Sequence, residues 1–419
     1  MNYYGRRWHG VLKNISVIAL GNVASAALGL LLIVILARSL STFDFGLVAS
    51  VIAIVDGSQL LIDASLNAGI VHVTAARQCE PAVVRTGFWM KIGCAILVAG
   101  VIVVAADQLS HFLVERGSLT AAIRWAALAL VASSGTSFSL TMLQSQERFV
   151  TLAAVTPLKN LVRLVGICLV VLTGHASVDA IIATIAAGAI ATMAVAASFL
   201  SFAFLREWAV SLRYLREMLQ INLWMVMVAM ANIGSRLDIW LIAAIANPAE
   251  AGLYAAALQM CMVVGIVSQS LMTTMLPRMS RMKQRSEMRQ HVTRCLMISP
   301  LLFIVFAVAW LVAGPLMQLV LGAPFQPAAP TFVVLFASSL LTLAINPILL
   351  VLFPLGETRL FGLTSLVQLV ARIAIAVMLI PKLGAMGAAV AELAAKSVSI
   401  VVLVLLITRL VNRRDHAAD

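Results

Sequence analysis

Residues 151–204 read TLAAVTPLKNLVRLVGICLVVLTGHASVDAIIATIAAGAIATMAVAASFLSFAF. Two apolar runs, 151–173 and 178–204, are separated by a short polar turn opening on Gly174. Each exceeds the roughly 20 residues a helix needs to cross the hydrocarbon core of a bilayer. The stretch reads as two antiparallel spanning helices. Lys159 and Arg163 lie inside the first, four apart and so on one face. Like charges on one face repel, the more strongly in a low dielectric. That face therefore lines a wet cavity or holds an anion; otherwise Lys159 snorkels to the surface and Arg163 meets an aspartate.

The pattern extends over the whole chain. Hydrophobic residues make up 62% and charged residues 11%, against about 45–50% and 25% in soluble domains. Lipid must cover part of so apolar a surface. The net charge of +12 then belongs to basic loops, and nucleic-acid binding is excluded because no soluble basic domain is present. Spans are predicted at 14–37, 45–74, 87–106, 121–143, 151–173 and 178–204. A second set follows at 219–246, 251–277, 295–320, 331–354, 361–380 and 384–408. The expected fold is all-α, a polytopic membrane protein of about twelve transmembrane helices. The domains are an N-terminal six-helix bundle over 1–204, an interfacial linker helix over 205–218, and a C-terminal six-helix bundle over 219–419 with a short tail.

With loops assigned alternately to the two sides, the N-terminal side collects about twenty Lys and Arg, among them Arg6, Arg7, Lys13, Lys91, Arg148, Arg213, Arg285 and Arg414. The other side holds Arg38, Arg116, Arg124 and Lys382. Positive loops stay inside, so both termini are expected in the cytoplasm and the chain in a bacterial inner (plasma) membrane. The apolar run to Ala37 reads as an uncleaved first helix. Residues 1–13 and 205–218 mix aromatic or leucine residues with arginines, as suits helices lying on anionic phospholipid.

The halves look duplicated. Gly46-Leu47 and Gly252-Leu253 lie 206 positions apart, Arg163 and Arg372 lie 209, and Gly174 and Gly384 lie 210. An even number of helices in each half makes the repeats parallel. The glycines at 46, 252 and 384 are expected in tight turns.

Nothing in the sequence indicates a cofactor, a metal or a catalytic motif: there is no P-loop, no GxSxG and no metal-ligand pair at helical spacing. The five cysteines lie outside CxxC spacing and read as apolar filler. What stands out is ionisable residues within the spans, which are costly there and mark functional sites. The basic ones are Lys159, Arg163, Arg236, Arg372 and Lys396; the acidic ones are Asp56, Asp63, Asp238 and Glu392. Glu392 and Lys396, four apart, can neutralise each other. Arg236 and Asp238 point in different directions, so each needs a partner elsewhere. Asp56 and Asp63 share a face and either pair with a cation or take a proton. Lys159, Arg163, Arg236 and Arg372 are the candidate substrate-binding residues, and Asp56, Asp63 and Asp238 the candidate ion-coupling residues.

Five stretches resemble one family: LARSLSTFDFGL (36–47), SRLDIWLIAAIANPAEAGLYAAA (235–257), TMLPRMSR (274–281), LGAPFQPAAP (321–330) and LIPKLGAMGAAVAEL (379–393). Together they resemble the Wzx-type polysaccharide exporters, lipid-linked oligosaccharide flippases of the multidrug/oligosaccharidyl-lipid/polysaccharide superfamily. The resemblance implies a MATE-like fold of two six-helix bundles around a central cavity. It also implies an undecaprenyl-pyrophosphate-linked O-antigen or exopolysaccharide unit as substrate, translocated by alternating access. Coupling to a proton or sodium gradient and partnership with a polysaccharide polymerase are further implications. The chain is then no enzyme. The rivals are a drug or cation antiporter of the same superfamily, a membrane enzyme of glycan assembly, and a non-transporting scaffold.

Overall fold

The structure is a computed structural model. It describes residues 2–77, 79–114, 119–174, 176–200, 204, 210–220, 233–279, 297, 299–349 and 358–415. Helices account for nearly all of these residues, and none lies in a strand. The chain divides into two compact units, Met1–Ala229 and Met230–Asp419.

The first unit contains α1 (Asn2–Ser39), α2 (Thr42–Ala76), α3 (Pro81–Val104), the short α4 (Ala106–Leu113), α5 (Thr120–Ser145), α6 (Phe149–Leu172) and α7 (Val178–Ser198). Helix α5 is central, packing on α2, α3 and α7, while α6 packs on α1 and α7. Small residues allow the close approaches. A Cβ on Gly21 of α1 would stand 2.6 Å from the Ala153 carbonyl oxygen of α6, and one on Gly166 would stand 2.6 Å from the Thr184 methyl of α7. Residues 2–13, expected as a separate interfacial helix, are continuous with the first span.

The second unit contains α8 (Gly234–Ile245), α9 (Pro248–Met279), α10 (Ser299–Leu321), a 3₁₀ turn (Ala323–Ala328), α11 (Ala329–Leu349) and α12 (Thr358–Asp415). Helix α12 is two crossings. Arg372 and Glu392, 20 positions apart, touch at 2.6 Å, whereas a continuous helix would hold them about 30 Å apart. The reversal is at Gly384, with φ 53°.

Ten helices among the described residues are long and apolar enough to cross a membrane, and Gly362–Leu403, which contains the reversal, is one of them. The predicted seventh span is described only in its terminal parts, and residues 221–232, 280–296 and 350–357 lie outside the described residues. So do Glu115, Arg116, His175, Arg206, Trp208 and Cys295.

The repeat predicted from spacing is visible in the local chemistry. At the start of α2, Asp44 N–H donates to Ser41 Oγ at 3.0 Å and Ser41 O–H donates back to Asp44 Oδ2 at 2.7 Å. At the start of α9, Glu250 N–H donates to Asn247 Oδ1 at 2.8 Å. Both satisfy the free amides of a helix start, and both cap and acid lie 206 positions from their counterparts. Gly174 and Gly384 both adopt positive φ, 73° and 53°. Gly46 and Gly252, expected in turns, instead lie buried in the first helical turns of α2 and α9. The caps one turn earlier already reverse the chain, so the glycines provide close packing.

Two basic residues do not belong to the surface tally. Lys91 is 0% exposed and Arg85 6%. Helix α3 starts at Pro81, its expected N1 residue, about 15 Å along the axis from Lys91.

Candidate functional site

In the first unit, Lys159 and Arg163 are both half-buried on α6. Neighbouring contacts fix the register of that helix. Asn160 Nδ2 donates to the Ser25 carbonyl at 2.7 Å and to Ser25 Oγ at 3.1 Å, which turns the next face, carrying Lys159 and Arg163, away from α1. Gly188 of α7 lies against the Arg163 stem, where an added Cβ would stand 3.4 Å from Cγ. Both residues keep some accessible surface. Asp56 and Asp63 of α2 stand within electrostatic reach of Lys159, and Asp56 within reach of Arg163. Arg163 Nε is buried and has no hydrogen-bond partner among the described residues. A buried guanidinium donor left unpaired is costly, so the position favours an acceptor brought in from outside.

Deeper in the same unit is a cluster that sequence reasoning missed. Lys91 of α3 donates to Asp63 Oδ1 at 2.9 Å, to Ser137 Oγ of α5 at 2.7 Å, and to Asn67 Oδ1 of α2. Ser137 O–H donates onward to Asp63 Oδ1 at 2.8 Å. One turn along, Ser134 O–H donates to Gln59 Oε1 at 2.8 Å. The available signal was the Glu80-Pro81 helix start, which places Lys91 well inside the span.

In the second unit, Arg372 lies in an ion-pair network, in which Asp238 Oδ1 is buried without a hydrogen-bond partner among the described residues. Its Nε and Nη2 donate to Asp238 Oδ2 at 2.9 and 2.6 Å, and Nη2 donates to Glu392 Oε2 at 2.6 Å. Tyr254 O–H donates to Asp238 Oδ2 at 2.9 Å. Lys396 Nζ holds the other Glu392 oxygen at 2.8 Å, and Ser338 Oγ reaches that oxygen at 3.3 Å. Gly234 of α8, one turn before Asp238, makes room: a Cβ there would stand 3.0 Å from Arg372 Cδ. The structure thus brings Arg372 and Asp238 together, although one was expected to meet cargo and the other an ion. The reason is desolvation: a buried charge is tolerated when an opposite one is within bonding distance, and here two cations meet two anions. Arg236 is half-buried on α8.

Known proteins resemble this chain in sequence family and in fold. The family model described as "Polysaccharide biosynthesis protein" matches residues 35–330. The chain belongs to that family. No curated protein matches it in sequence. Among solved structures, the lipid II flippase MurJ in an inward closed conformation superposes with a TM-score of 0.75 at 13% identity, over 93% of this chain and 87% of that one. A multidrug resistance MATE family transporter of the MOP superfamily, inward-facing, gives 0.70 at 13% identity over 92% of both chains. A point mutant of the Vibrio cholerae MATE transporter VcmN gives 0.56 at 12% identity over 96% of both. This member of the polysaccharide biosynthesis family is therefore a multi-pass membrane protein with the fold shared by MurJ and the MATE transporters.

Proposed function

We propose that the protein is a flippase that carries the anionic head of a lipid-linked oligosaccharide across a bacterial inner membrane, with both termini in the cytoplasm. The observation that carries this reading is the Lys159–Arg163 pair. Two cations share one face, and the Arg163 Nε donor has no acceptor among the described residues. Pyrophosphate or an acidic sugar supplies that acceptor, and guanidinium matches its oxygens through a fixed fork of donors. Membership of the polysaccharide biosynthesis family supports a glycan cargo, and the fold shared with a lipid II flippase supports a lipid-linked one. Arg236, in a family-like stretch of the second unit, is assigned a binding role of its own. Arg372 is assigned to holding its own unit together.

Translocation proceeds by alternately exposing the cationic face of α6 to the two sides. The ion gradient that resets the carrier acts on the α2 face bearing Asp56 and Asp63, while Asp238 stays with Arg372. A polysaccharide polymerase is the natural consumer of the product.

The test is surface polysaccharide in a strain lacking the gene, complemented with Arg163→Ala or Arg236→Ala at matched expression. Each variant should lower surface polysaccharide at least tenfold, about 1.4 kcal/mol of lost interaction. Normal surface polysaccharide from both variants rejects the binding site. The drug-antiporter alternative draws on the MATE likeness. It predicts instead that the same cells lose resistance to cationic drugs.

A further inference from the structure

The Lys91 ammonium sits where a small cation would sit. Three oxygens from two helices converge on it: the Asp63 carboxylate, the Asn67 amide carbonyl and the Ser137 hydroxyl. The proton order is consistent with a cation at the centre, because Ser137 accepts from Lys91 and donates to Asp63. An anionic oxygen, a neutral carbonyl and a hydroxyl are the hard donors that bind alkali and alkaline-earth ions. The centre is fully buried on its Lys91 side, where the side chain is 0% exposed, and open on the Asp63 side, where the carboxylate side chain keeps 28%. Here a side chain anchored on α3 fills it.

We propose that Lys91 is a resident, tethered counter-ion occupying an oxygen-lined monovalent-cation site on Asp63, and that it keeps sodium out. Three consequences follow from the geometry. The ammonium spends its three donors on three acceptors, so it is fully coordinated and has nothing to gain by leaving. A sodium ion approaching Asp63 meets the Lys91 charge within 3 Å of the same oxygen, and like charges so close repel strongly in a weakly screened interior. Removing the amine while keeping the apolar stem leaves Asp63, Asn67 and Ser137 around an empty position with one uncompensated negative charge, which an added cation relieves. This narrows the coupling proposed above for Asp63 by removing sodium as the ion that acts there. It is read from ion binding alone, so it stands or falls independently of the cargo.

The experiment compares full-length wild type, Lys91→Met, Lys91→Arg, Asp63→Asn and Lys91→Met/Asp63→Asn, purified in detergent, in sodium chloride or choline chloride at equal ionic strength. Lys91→Met should melt about 2 °C or more higher in sodium than in choline, beyond any difference in the wild type. Methylammonium chloride, a detached copy of the missing group, should stabilise it too. The double variant should lose both responses, and Lys91→Arg, which keeps a cation in place, should match the wild type. Recovery of folded Lys91→Met only in sodium or methylammonium supports the proposal equally. A folded Lys91→Met indifferent to both ions overturns it. So does a wild type whose sodium-specific stabilisation disappears in Asp63→Asn, an arm that needs no variant of Lys91.

Discussion

The two units handle buried charge in opposite ways. In the second, Arg372 and Lys396 meet Asp238 and Glu392 in one network, with Tyr254 and Ser338 filling out the coordination. In the first, Lys91 is matched to Asp63, while Lys159 and Arg163 stand together on α6, with carboxylates within electrostatic reach and a guanidinium donor left without an acceptor among the described residues. In the second unit each cation touches a carboxylate, although Asp238 Oδ1 keeps no hydrogen-bond partner among the described residues; on α6 the two cations touch no carboxylate so closely. Similar residue types in the two units thus differ in whether their partners are already within bonding distance.

The contrast is most easily broken at Arg372. Arg372→Met leaves Asp238 and Glu392 buried with one cation between them, and should lower stability by about 3–5 kcal/mol. Thermal unfolding in detergent measures this, and adding Asp238→Asn should recover part of the loss. An unchanged melting temperature would dissolve the distinction between the units.

The reversals at Gly384 and Gly174 offer a second, smaller contrast between repeat mates. Both have positive φ, but a Cβ on Gly384 would stand 2.5 Å from Glu250 Oε2, whereas one on Gly174 meets nothing within 4 Å. Glu250 is held there by the Ala385 amide, which donates to it at 2.8 Å. Gly384→Ala should therefore lose about 2–3 kcal/mol and Gly174→Ala only the backbone strain of about 1 kcal/mol. Glu250→Ala should bring the two glycine variants closer together. The smallest effect on stability is expected at Arg163. Arg163→Ala removes a repulsion as well as a side chain, so its stability should stay within about 0.5 kcal/mol of the wild type while export is lost. A large destabilisation by Arg163→Ala would move it into the same class as Arg372.

Much of this was legible along the chain. Ion pair Glu392–Lys396 follows from helical spacing, and it forms at 2.8 Å. The Gly174 and Gly384 reversals follow from their places between apolar runs. Lys91 was not legible, because a lysine near a predicted span end looks like a surface residue until the true helix start is known. The pairing of Arg372 was not legible for a different reason: its carboxylate Asp238 lies 134 positions away on another helix, and periodicity carries no information about such pairs.

By itself the sequence determined which runs are apolar and long enough to cross a membrane and which residues share a helical face. Those depend on local regularities: hydrocarbon thickness, rise per residue and the angular step of a helix. Only the tertiary structure decided which buried cations are neutralised and which remain available, because that depends on ångström distances between helices that are far apart in the chain.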